Sequence, residues 1–132
     1  MTTSTLFIII AVILVGVVAW RFMIPSLAGV ISAAREQRDI KPIIEAVSKI
    51  RESARPTAYN HAIRQLWDAY ERELAIELVK ELARNHHESL IAQYWLKQVL
   101  QVEPKLATKA MSREFLNRYY RPEVAAQCGP VG

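Results

Sequence analysis

Leu6 to Trp20 reads LFIIIAVILVGVVAW, 15 residues without a polar side chain, and the medium assigned to this stretch decides the fold. Continued to Ile24 it spans 19 residues interrupted only by Arg21, about 28 Å as a helix against a hydrocarbon core of roughly 30 Å. The β-branched run Ile8, Ile9, Ile10, Val12, Ile13 would suit a strand in water. In lipid only a helix satisfies its backbone with one segment. The expectation is a single transmembrane helix over residues 1–24, with Trp20, Arg21 and Phe22 at the membrane interface, the guanidinium reaching outward between two rings.

The flanks give an orientation. No Lys or Arg precedes the run, whereas Arg21, Arg35, Arg38 and Lys41 follow it, so the positive-inside rule places the N-terminus outside and the C-terminal part in the cytoplasm. A secretory signal carries a basic segment before its apolar run, which favours an anchor, although Ser26-Leu27-Ala28 has the small-x-small form of a cleavage site. A bacterial inner membrane and an organellar membrane fit equally. The lone Cys128 forms no internal disulfide, in keeping with a reducing compartment.

The remaining sequence has another character. Of the 30 Lys, Arg, Asp and Glu residues in the 132-residue chain, only Arg21 lies within the first 34 positions. The net charge of +4 is arranged in blocks: seven basic and four acidic residues over 35–64, four and seven over 65–103, five and two over 104–132. Gly is scarce, and Pro42, Pro56, Pro104 and Pro122 punctuate the chain. Helices between prolines follow, in an all-α fold. Pro25 would bend or end the first helix, and Leu27, Val30, Ile31 and Ala34 continue a helical stripe over a juxtamembrane segment, 25–38. Ile40, Ile43, Ile44, Val47, Ile50 and Ala54 form the clearest amphipathic stripe, which Asp39 can cap and Arg55-Pro56 ends. Residues 57–85 form one long helix or two with a turn near 71–73. Asn85 and Glu88 read as a capping box for a helix closing at Glu103-Pro104. A last helix runs from Pro104 to about Tyr120, so the helical domain occupies 39–121 and a flexible tail 122–132.

Antiparallel helical pairs with tight turns are the unit of helical repeats. At Ala92, Leu96, Val99 and Pro104 the chain resembles the second helix of a tetratricopeptide repeat, over about residues 73–104. Ile76, Lys80 and Ala83 depart from the pattern of the first helix. The resemblance implies a small helical-hairpin, repeat-like domain with a protein-binding surface and no catalysis.

No constellation for chemistry emerges. His86-His87-Glu88 and His61 lack the spacing that puts two ligands on one helix face, and Glu73, Glu77 and Glu81 read as a solvated stripe. Phosphate loops, nucleophile motifs and zinc-type Cys pairs are missing from the sequence. The expectation is therefore no enzyme, with no catalytic, cofactor-binding or metal residues, no small-molecule substrate and no nucleic acid. Lys105, Lys109 and Arg113, with Arg118 and Arg121 beyond, could contact a partner or an anionic membrane surface. Trp67, Tyr70, Tyr94 and Trp95 are core residues or the aromatics of a groove. Together these point to a membrane-anchored helical adaptor or accessory subunit, in contact with the lipid bilayer and other membrane-complex subunits. The alternative is a self-assembling structural membrane protein, a homo-oligomer with a basic membrane-surface helix.

Overall fold

The protein, as a computed structural model, is described over residues 3–23 and 27–128, with side chains over 3–15 and 27–127. Among the described residues every regular element is helical: α1 (Thr3–Met23), α2 (Leu27–Gln37), α3 (Lys41–Ser48), α4 (Arg55–Asp68), α5 (Arg72–His86), α6 (Leu90–Val102), α7 (Pro104–Ala110), α8 (Arg113–Tyr119) and α9 (Pro122–Ala125), with 3₁₀ turns at Glu52–Ala54 and Ala126–Cys128. The all-α expectation matches this architecture. The transmembrane expectation does not: among the described residues no helix is long and apolar enough to cross a membrane.

The described side chains of α1 run from Thr3 to Val15, about 20 Å of helix, well short of a hydrocarbon core of roughly 30 Å. The interface trio Trp20, Arg21 and Phe22 lies outside the described side chains, and Pro25 outside the described residues. The single anchor over 1–24 is accordingly corrected to an apolar helix α1. The single-pass topology, the outside N-terminus, the cytoplasmic placement and both membrane-protein functions rested on that anchor, and they are withdrawn with it. Leu6 to Ile10 and Val12 to Val15 are all exposed, so α1 adds nothing described to the core.

The core belongs to the helices from α2 onward. Residues 25–38, expected at a membrane boundary, instead supply Ile31 and Ala34 to the interior. α5 is the central element: Leu74, Ala75, Leu78, Val79 and Leu82 face one way, Ile76 and Ala83 another, and all seven are buried. A single amphipathic stripe buries one side. This helix buries more because α4, α6 and α7 all pack on it.

Local chemistry explains the joints. Asp39 accepts from the Lys41 N–H at 3.0 Å, and Pro42 sits in the first turn of α3, where no intrahelical N–H bond is owed. Arg55-Pro56 does not end a helix. It opens α4, and the Arg55 side chain reaches back to the carbonyls of Ile50 and Ser48, each at 3.0 Å. Asn85 caps nothing ahead of it; its amide donates back to the Glu81 carbonyl at 2.9 Å, and the N-cap of α6 is Ser89, accepting from the Ile91 N–H. The expected last helix is two, because Ser112 caps α8 by accepting from the Phe115 N–H at 3.1 Å.

The tail is more ordered than its composition suggests. Ala125 is buried, and α9 packs on α6. The tie is Gln93, 1% exposed on α6. Its amide donates to the His87 carbonyl at 2.7 Å and the Tyr119 carbonyl at 2.8 Å, and its oxygen accepts from the Arg121 N–H at 2.7 Å. Gln93→Leu leaves three backbone groups unpaired and should destabilise the fold by about 2–4 kcal/mol in urea unfolding, given roughly 1–3 kcal/mol per unsatisfied group with partial compensation by water.

Tyr59 is buried on α4. Burial pushes its phenol above the ordinary value of 10.0, the Glu81 carboxylate adds to the rise, and Arg55 and a hydrogen bond from Asn85 oppose it. The folded state therefore holds this proton more tightly than the unfolded chain. Its contribution is complete below the unfolded value and is lost as pH rises through the folded one. Unfolding free energy measured from pH 9 upward should fall beyond about pH 10, and fall less steeply in Tyr59→Phe.

Candidate functional site

α4 ends in an unusual turn. The Glu71 N–H donates to the Leu66 carbonyl at 2.9 Å and the Tyr70 N–H to the Trp67 carbonyl at 3.1 Å, the two bonds of a Schellman motif, whose C′ position normally carries Gly because the backbone there is left-handed. Here that position is Tyr70, with φ of 61°. α2 ends similarly at Arg38, with φ of 52° and the Asp39 N–H on the Ala34 carbonyl at 3.1 Å. Each costs roughly 1–2 kcal/mol relative to glycine geometry. The two turns meet at Glu71, whose carboxylate pairs with Arg35 at 3.7 Å and Arg38 at 4.0 Å.

Beside Tyr70 lies a depression of about 270 Å³. Arg64, Trp67 and Asp68 reach it from one face of α4, Tyr70 and Arg72 from the turn and the start of α5, and Tyr94, Trp95 and Gln98 from α6. Its floor is aromatic: Trp67 and Trp95 meet edge to face at 5.8 Å, and Tyr94 meets Trp95 at 5.5 Å. The indole N–H of Trp95 donates to the Asn60 side-chain oxygen at 2.7 Å, which satisfies the polar edge of a ring only 1% exposed. Two cations lie on the rings, the Arg72 guanidinium 3.8 Å from the Trp67 centroid and that of Arg64 5.5 Å from Trp95. On the other side of Tyr70 a second depression of about 530 Å³ is lined by Arg38 and Arg72 and by Glu71, Glu73 and Glu77, with Leu74 and Leu106.

Arg72 is badly placed for stability. As the first residue of α5 it sets a cation at the positive end of a helix dipole. Its Nε and Nη1 are buried without a hydrogen-bond partner in the chain, and the nearest carboxylate, Glu103, stands 4.0 Å away. Gln98 is 8% exposed, and its side-chain oxygen is likewise unpaired. An unpaired buried polar group costs roughly 1–3 kcal/mol. Left-handed backbone, a misplaced cation and two unsatisfied side chains thus concentrate at one spot.

The four aromatics read from the sequence all line this depression; Trp67 and Trp95 are also core, whereas Tyr70 is 82% exposed. Arg64, Asp68, Arg72 and Gln98 were not read. Gln98 had a signal, a polar residue one turn beyond Trp95 on a buried stripe. Lys105, Lys109, Arg113, Arg118 and Arg121 are exposed, but the break at Ser112 puts Lys105 and Lys109 on α7 and Arg113 on α8, so no single helix carries the stripe. His86 packs against Tyr59 and His87 against Tyr119. Among the described residues no group of three His, Cys, Asp or Glu side chains is placed to hold a metal ion.

Compared with family models, curated proteins and solved structures, the chain matches none. The helices give no evidence for tetratricopeptide-type repeats: 14, 15 and 13 residues in α4 to α6 are followed by 7 and 7 in α7 and α8, so no hairpin recurs at equal length.

Tyr70→Gly relieves the left-handed strain. The variant should be about 0.5–1 kcal/mol more stable in urea unfolding, the gain being trimmed by the greater freedom of Gly in the unfolded chain.

Proposed function

We propose that this chain is a non-catalytic helical recognition module that binds a segment of another protein across the two depressions flanking Tyr70. The observation that carries the reading is Tyr70 itself, a large aromatic ring 82% exposed and held on left-handed backbone. It neither fills the core nor suits its turn, and locally unfavourable choices of this kind collect where a surface is used. Aromatic and arginine side chains are the residues most enriched at the energetic centres of protein interfaces. The surface has both.

Shape and lining support a macromolecular partner. The first depression, at 270 Å³, is below the roughly 300–1,000 Å³ of small-molecule pockets, and its lining includes no Ser, Thr, Cys or His. Two shallow sites divided by one ring fit successive side chains of a bound chain. The exposed apolar side chains of α1 find no cover within the described protein, and a patch of that kind marks a second contact region.

A photo-reactive benzoylphenylalanine in place of Tyr70, in the full chain and in its native cells, should give a discrete adduct. The same group at Glu45, exposed on α3, should not. Identical adduct patterns at both positions would refute a binding surface at Tyr70.

A further inference from the structure

Resting on that reading, we infer that the depression beside Tyr70 takes an acidic residue of the partner segment, its carboxylate on Arg72 and its backbone N–H on Gln98. Arg72 lies on Trp67 at 3.8 Å, which fixes the guanidinium plane. A guanidinium so fixed presents its donors in the planar fork that matches a carboxylate. Both Nε and Nη1 lack a hydrogen-bond partner in the chain, so each edge of the fork keeps an unpaired donor. Glu103 at 4.0 Å is beyond hydrogen-bond reach.

Gln98 is the independent observation. Its side chain is more than nine-tenths buried, it lines the same depression, and its oxygen has no donor. That oxygen requires an N–H from the occupant. A carboxylate beside an N–H is what an acidic residue within a peptide presents; an inorganic anion offers no such donor. Arg64 adds a second positive charge against the single negative charge of Asp68, leaving the depression cationic. Tyr70, 5.5 Å from the Arg72 guanidinium and largely free in solvent, is the wall that moves to admit the carboxylate and then covers it.

The test uses the full chain labelled with ¹⁵N at its tryptophan indoles and two blocked peptides, acetyl-Gly-Phe-Glu-Phe-Gly-amide and its Gln counterpart. The Glu peptide should shift the Trp67 and Trp95 indole signals saturably, at least about tenfold more tightly than the Gln peptide, as expected for loss of one charge-assisted pair. Arg72→Gln should abolish the difference. If that variant does not fold, Arg64→Gln, changed at an exposed side chain, should narrow it. Equal affinity for both peptides would overturn the carboxylate assignment, as would equally tight binding of inorganic phosphate at the same indoles. Should neither peptide shift an indole while the position-70 adduct still forms, the acidic ligand is refuted and the binding surface stands.

Discussion

Everything from α2 onward is arranged around the burial of α5. A helix with seven inward residues spread over more than one stripe cannot be served by a single neighbour. The chain must bring α4, α6 and α7 to it, and each approach requires a sharp reversal. Loops in this protein are short, and glycine is nearly absent from them. The reversals at Arg38 and Tyr70 are therefore made by residues with side chains in left-handed backbone, and the surface around Tyr70 arises where those two turns converge on Glu71.

The same geometry accounts for the character of the surface. Because α4 ends and α5 begins beside the aromatic floor supplied by α6, Arg72 is drawn over Trp67 instead of pointing into solvent. Cation–π contact with a buried ring contributes roughly 1–2 kcal/mol. That offsets, without cancelling, the unfavourable dipole position and the unpaired donors. The balance favours a site that becomes more stable when occupied, since a bound acceptor removes a cost already present in the free protein.

How far the sequence disclosed this differs by level. Helical class and the stripes of α3 and α6 were legible because the apolar spacing of residues such as Ile43, Val47, Leu96 and Val99 has the helical period. The division of 57–85 was not, since a Schellman turn is read from glycine and here the position holds Tyr70. Ser112 was missed as a cap because it interrupts a run otherwise compatible with one helix. Four site aromatics stood out by size. Arg64 and Arg72 did not, because an arginine on a helix looks solvated until its tertiary neighbours are known. The opening run was read from its apolar character alone, and that character does not state what lies against it.

Gln93 gives the C-terminal segment a place in the order of assembly. Its partners lie 26 and 28 residues downstream, at Tyr119 and Arg121, so the amide faces an unfinished protein until those residues have left the ribosome. Synthesis thus leaves α6 with a polar vacancy that only the chain's own end can fill. The last twenty or so residues act as a closing latch, and a nascent chain halted before them would carry a wet gap along one side of its central hairpin.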